Sequence, residues 1–145
     1  MMKKEDYQHW VKYIQRQYMQ IPDFLIADQE NWRNRSILAR ALTRQQQYEP
    51  ARELFQTIVP IRPQRTGENG TKLSEIEDKA ICLISLALLL QLELPYDQDE
   101  VRSYLEEVKR YLKQYPEEFQ FFTVAEMEKE IETAVLRMKK EVTRA

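Results

Sequence analysis

The sequence has very little glycine, cysteine and histidine, and these shortages exclude several kinds of site. One cysteine, Cys82, rules out an internal disulfide and a zinc site built from several cysteines. The single histidine, His9, is the only imidazole that a triad or a metal site could use. It lies beside Trp10 and outside the apolar stripe of the first predicted helix, so we expect it at the surface. There is no P-loop, no G-x-G-x-x-G and no G-x-S-x-G motif. We therefore expect no enzyme, no metal and no cofactor.

Neither sign of charge is in large excess, and no long apolar run is present. The 22 basic and 24 acidic residues give a net charge of -2, whereas nucleic-acid binders carry a basic excess, so we expect no nucleic acid. The longest apolar run, Ala80 to Leu90, is shorter than the roughly 20 residues of a membrane span. The first ten residues lack the apolar core of a signal peptide. These features predict a buried core helix, no membrane association and a cytoplasmic location.

What the sequence does contain is helical periodicity along almost its whole length. Apolar residues recur at three- and four-residue steps, which is typical of amphipathic helices, and no segment predicts a strand. We expect a first helix that ends at Pro22, a second from Asn31, a third from Tyr48 to before Pro60, a fourth from Ser74, a fifth capped by Asp97 and a sixth from Thr123. The prediction is one all-α domain over residues 1–145, built of antiparallel helix hairpins, with an exposed loop at 60–73.

Two of the predicted helix N-termini carry capping boxes. In a capping box the hydroxyl of the first residue accepts from a backbone N–H, and a glutamate three residues later can reach back to the backbone N–H of that first residue. The pairs are Ser74 with Glu77 and Thr123 with Glu126. The helix that follows Ser74 is apolar almost all round, so we expect it at the centre of a bundle. Cys82 lies on it and is predicted to be an inert buried thiol.

The segment 32–65 matches a known repeat pattern in a single register without gaps. The tetratricopeptide pattern has a 34-residue period and reads W-x₂-L-G-x₂-Y, then A-x₃-F, then P. The matching packing residues are Leu38, Ala39, Ala51, Phe55 and Pro63. Arg35 stands where the pattern has tryptophan. The segment therefore resembles a tetratricopeptide repeat, and the resemblance implies a right-handed superhelix of antiparallel hairpins that binds peptides on its concave surface.

The candidate binding residues lie on the first helix of that repeat. Arg33, Arg40 and Arg44 are separated by seven and four residues, so they share one helix face, with Ser36 close by. The resemblance places this face on the concave side. Because a guanidinium forms forked bonds to carboxylates, the expected partner is an acidic peptide or one with a free C-terminal carboxylate. The alternative is that these arginines pair with Asp28 or Glu30, or only face water.

Three functions remain open on the sequence. The first is a protein- or peptide-binding module of the tetratricopeptide type. The second is a structural homo-oligomer, such as a homodimer, because helix faces left uncovered in so short an array could pair with another copy. The third is an enzyme with a helical fold and no recognisable motif. Replacing the three arginines tests the first, and light scattering across a dilution series tests the second.

Overall fold

The computed structural model describes residues 2–17, 28–64 and 73–144, with side chains through Glu141, and every regular element in these ranges is helical. The all-α prediction is confirmed, and the described ranges contain six α-helices, as predicted. The helices are α1 (Lys4–Gln17), α2 (Trp32–Arg44), α3 (Tyr48–Ile58), α4 (Glu75–Leu90), α5 (Gln98–Gln114) and α6 (Val124–Arg144). A short 3₁₀ helix, Pro116–Glu118, was not predicted.

The chain forms two compact units, Met1–Ile61 and Arg62–Ala145. The boundary falls inside the predicted repeat, four residues before its end, and places Pro63 in the second unit. One continuous array over residues 1–145 stays a prediction. Two sequence predictions lie outside the described residues, namely the helix end at Pro22 and the glycine-containing part of loop 60–73.

The first unit is built of α1, α2 and α3. The Asn31 side chain accepts a hydrogen bond from the Arg33 N–H at 3.0 Å, so the predicted cap of α2 is present. Helices α2 and α3 pack along each other, and the predicted packing residues Leu38, Ala39, Ala51 and Phe55 are all at most 1% exposed. Small side chains at two of these positions let the helix backbones approach closely.

Arg35 fills the position where the repeat pattern has tryptophan, and it is 6% exposed. Its guanidinium donates to the Thr57 hydroxyl at 2.9 Å and to the backbone carbonyl of Gln29 at 2.7 Å. A buried cation is tolerated only when its donors are satisfied, and these bonds supply acceptors for it. Arg35 therefore joins α2 to α3 and to the turn before α2 by hydrogen bonds, where an indole would act by packing alone.

The second unit is organised around α4, which contacts both α5 and α6. As predicted, α4 is buried on most of its circumference, from Ile76 to Leu89, and Cys82 is 1% exposed. Asp97 caps α5 by accepting from the N–H groups of Asp99 and Glu100. The inward stripe of α5 contains Val101, Tyr104, Leu105, Val108 and Leu112, all buried.

The two capping boxes turn out differently. Thr123 accepts from the Glu126 N–H at 3.1 Å, and the two side chains also bond each other. Ser74 accepts from the Glu77 N–H at 3.0 Å, but the Glu77 carboxylate takes a different partner from the one predicted. It reaches across the unit to the segment before α6, because the fold brings three backbone N–H groups there within its range.

Candidate functional site

The predicted binding residues Arg33, Arg40 and Arg44 form what we call the arginine face of α2. At about 100° per residue their directions fall within roughly 40° of one another, opposite the core side chains Leu38 and Leu42. Arg44 is exposed, and the other two are partly exposed. With a rise of 1.5 Å per residue, the three positions extend over about 16 Å of the helix.

Contacts within the first unit orient two of these arginines. Arg40 donates from Nε to the Ser36 hydroxyl at 3.3 Å, and the Arg33 guanidinium lies 5.4 Å from the centroid of the Trp32 ring. Ser36, predicted to lie beside the row as a contact residue, is 0% exposed. Its hydroxyl is therefore in a position to orient Arg40 and has no surface of its own to offer a peptide.

The acids proposed as internal partners, Asp28 and Glu30, lie in the turn before α2. The Asp28 carboxylate accepts from the Glu30 N–H at 3.1 Å. The carbonyl oxygen of Asp28 accepts from the Asn34 side chain, and that of Glu30 accepts from Arg35. The backbone of this turn is thus tied to the buried side of α2.

The second unit contains a groove that the sequence did not predict. It lies between the antiparallel helices α5 and α6 and comprises two adjoining cavities of about 540 and 650 Å³. Small-molecule sites commonly have volumes of about 300–1,000 Å³, and both cavities fall in that range. Its floor is apolar and consists of Leu105, Leu112, Ile131, Val135 and Met138.

The rim of this α5–α6 groove carries charge of both signs. Lys109 of α5 and Lys139 of α6 each line both cavities, so they mark the point at which the cavities meet. Leu136, also on the rim, is 49% exposed. The remaining charged residues along the rim are Arg102, Glu106, Lys113, Glu128 and Glu132. The groove therefore combines an apolar floor with charged edges, which is the arrangement that an amphipathic helix requires.

A buried ion pair lies inside the second unit. Lys79, 1% exposed, has its Nζ 3.1 Å from the Glu107 carboxylate, which also accepts a hydrogen bond from the Tyr111 hydroxyl. Burial, followed by the bond to Glu107, raises the pKa of Tyr111 well above its usual value. Because Glu107 balances the Lys79 charge and also accepts from Tyr111, this cluster is a structural link between α4 and α5.

The Glu77 carboxylate organises a second feature of this unit. Glu77 is 0% exposed and accepts from the backbone N–H groups of Gln120, Phe121 and Phe122 at 3.3, 3.0 and 2.8 Å. The side chains of Phe121 and Phe122 are 50% and 42% exposed. The carboxylate thus holds the backbone of a segment that presents two aromatic rings to solvent.

The sequence analysis did not predict the groove, the pairing of Lys79 with Glu107, or the role of Glu77. Glu77 and Lys79 lie on the apolar helix α4, and this position was a signal that they need partners, because buried charges are stable only when paired. The only local sign of the groove was Leu136, an apolar residue on the charged side of α6 next to Val135.

Within the ranges that the structure describes, no group of three or more His, Cys, Asp or Glu side chains is placed to hold a metal ion. None of the described helices has both the length and the hydropathy that crossing a membrane requires. Comparison with known proteins gave no match, whether to a family model, to a curated protein or to a solved structure.

Proposed function

We propose that this chain is a protein-binding module of tetratricopeptide type, and that it captures an acidic peptide segment, or a peptide C-terminus, on the arginine face. The observation that carries the proposal is the alignment of Arg33, Arg40 and Arg44 on the side of α2 that faces away from its core. The match of residues 32–65 to the repeat pattern supports it, since in such repeats this helix contacts the ligand.

Two details of the arginine face favour a role in binding carboxylates. Ser36 and Trp32 hold the guanidinium groups of Arg40 and Arg33, and a pre-oriented side chain loses less rotamer freedom when a ligand binds. Guanidinium groups also match the planar shape of a carboxylate with two parallel N–H donors. Each such pair at an exposed or partly exposed site contributes about 0.2–1 kcal/mol, so three pairs together favour binding by roughly threefold to a hundredfold.

The test is a display library of C-terminal peptides, screened in free-acid and amidated forms against the purified chain. We expect enriched peptides to be acidic and to bind the triple variant Arg33→Glu, Arg40→Glu and Arg44→Glu at least tenfold more weakly. Arg35 is left intact because it is buried and hydrogen-bonded.

The matched control reverses three exposed cations of α1, through Lys4→Glu, Lys12→Glu and Arg16→Glu. It changes net charge by the same amount without touching α2. Equal weakening in both variants would reduce the effect to net charge, and unchanged binding in the α2 variant would refute the arginine face as the site.

A second candidate function is self-association. Large apolar side chains are exposed at both ends of α4, with Phe121 and Phe122 beside its first turn and Leu92 and Leu94 after its last. A copy of the chain could cover either patch. This alternative predicts that light scattering detects a dimer that resists dilution. It also predicts that the double variant Phe121→Ser with Phe122→Ser is a monomer. A monomer at all concentrations would exclude it.

A further inference from the structure

The α5–α6 groove is a second surface with a chemistry different from that of the arginine face, and it lies in the other compact unit. Its lining on α5 runs from Gln98 to Lys113, which corresponds to about 22 Å of helix. Along that length the floor positions Leu105 and Leu112 are one seven-residue step apart. A helix of about 15 residues, or four turns, matches this length and this spacing.

The apolar content of the groove sets the kind of contact that it can make. Val135 is partly exposed on its floor, and Leu136 is half-exposed on its edge. Binding becomes more favourable when a partner removes apolar surface of this kind from water. The partner that fills a long apolar trough between two helices is a third helix that lays its own apolar stripe along the floor.

The charges on the rim define that helix further. Lys109 and Lys139 extend from opposite walls at the point where the two cavities meet, so two positive charges flank the same stretch of apolar floor. An acidic side chain at the middle of an incoming helix would lie between two cations. Farther along, Lys113 stands on the α5 wall while Glu128 and Glu132 stand on the α6 wall.

Among the described residues, no ion pair joins Lys113 to either of these glutamates. At that end the two walls therefore offer opposite charges to a partner. An incoming helix with an acidic flank toward α5 and a basic flank toward α6 would complement both.

We infer that the α5–α6 groove binds an amphipathic helix of a protein partner, about four turns long, with an apolar stripe on the floor and an acidic residue at mid-length between Lys109 and Lys139. This is an interaction surface in addition to the arginine face and does not depend on it. The two surfaces differ in ligand, because one is proposed to bind an acidic segment or chain end by its carboxylates and the other a folded helical stripe.

The experiment uses the full-length chain and a phage library of 16-residue peptides. Apolar residues are fixed at helical spacing, and all other positions are randomised. Peptides that enrich on the wild type are synthesised with a fluorescent label, and their affinity is measured by anisotropy. We expect enriched sequences to carry Asp or Glu beside the middle of the apolar stripe.

Two groove variants locate the site. Val135→Arg places a large charged side chain on the floor and should weaken binding at least fiftyfold. Lys109→Glu with Lys139→Glu keeps the floor and should weaken binding about tenfold, while improving the affinity of a peptide whose central acid is replaced by lysine. The control pair Lys12→Glu with Lys129→Glu makes the same charge change at exposed positions outside the groove and should leave binding unchanged.

Circular dichroism and thermal unfolding establish whether each variant is folded. If Val135→Arg does not fold, the variant Lys109→Glu with Lys139→Glu still tests the site. The inference is overturned if no peptide enriches, if enriched peptides bind the charge variant and the wild type equally, or if the control pair weakens binding as much as the groove pair. It is also overturned if the chain forms a dimer that Val135→Arg dissociates, since the groove would then belong to a second copy.

Discussion

The buried carboxylate of Glu77 should be one of the largest single polar contributions to the stability of the second unit. It accepts three backbone hydrogen bonds from residues 120–122, more than 40 positions away along the chain. Replacing it by glutamine keeps the size and shape of the side chain and removes the charge. One amide oxygen can still accept from Phe121 and Phe122, while the NH₂ group then faces the N–H of Gln120.

The expected loss follows from these contacts. A hydrogen bond to a charged acceptor contributes about 1.5–3 kcal/mol and a neutral one about 0.5–1.5 kcal/mol, so two retained bonds each lose roughly 1 kcal/mol. The third bond is lost and two donors then face each other, which adds about 2 kcal/mol. Glu77→Gln should therefore lower the free energy of unfolding by about 4 kcal/mol, which corresponds to a fall in Tm of roughly 12 °C or more.

Urea unfolding followed by circular dichroism measures this change, and amide hydrogen exchange locates it at Phe121 and Phe122, whose N–H groups should lose protection. The control Glu130→Gln makes the same chemical change on the exposed side of α6 and should stay within about 0.5 kcal/mol of the wild type. If Glu77→Gln is as stable as this control, or if the two amides keep their protection, the carboxylate does not hold the segment as the geometry indicates.

Two further predictions concern buried ionisable groups. Glu107→Gln removes the carboxylate that lies 3.1 Å from the buried Lys79 ammonium and should lower the free energy of unfolding by about 3 kcal/mol. Lys79→Met should cost less, because the Glu107 side chain is 26% exposed and keeps the Tyr111 hydroxyl as a donor. Urea unfolding measures both losses, and the reverse order would contradict this assignment. Burial raises the pKa of Tyr7 from 10.0 to about 12, so the folded state favours the protonated phenol, and this stabilisation is complete below pH 10 and is lost as pH rises to 12. Between pH 10 and pH 12 the free energy of unfolding should fall further in the wild type than in Tyr7→Phe, by up to about 2.7 kcal/mol. If the free energy of unfolding falls equally in both proteins, Tyr7 makes no such contribution.

The helices could be predicted because their signals are local. Asn31, Ser74, Asp97 and Thr123 cap helices where the sequence placed them, since a short polar side chain beside an apolar stripe satisfies the exposed N–H groups of the first turn. The turn between α2 and α3 gave no such sign. Gln46 adopts a φ of 61° there, in the left-handed region that favours glycine. A glutamine in the sequence does not predict this conformation.

The roles of individual charged residues could not be predicted from the sequence. Spacing placed Arg33, Arg40 and Arg44 on one side of α2, because helical geometry alone decides which residues share a face. The same geometry puts Arg35 on the side of Leu38 and Leu42, but it does not show that this arginine is buried and bonded to Thr57 of α3. The difference depends on which side of α2 another helix covers.

By itself, then, the sequence determined the six helices that the described residues form, the caps of four of them, and the burial of Leu38, Ala39, Ala51 and Phe55. Only the tertiary structure decided that the Glu77 carboxylate serves residues 120–122, that Lys79 pairs with Glu107, and that α5 and α6 leave a groove between them. The physical reason is range. Helix formation and capping act within a few residues, whereas a buried charge or a groove exists only once distant segments have packed together.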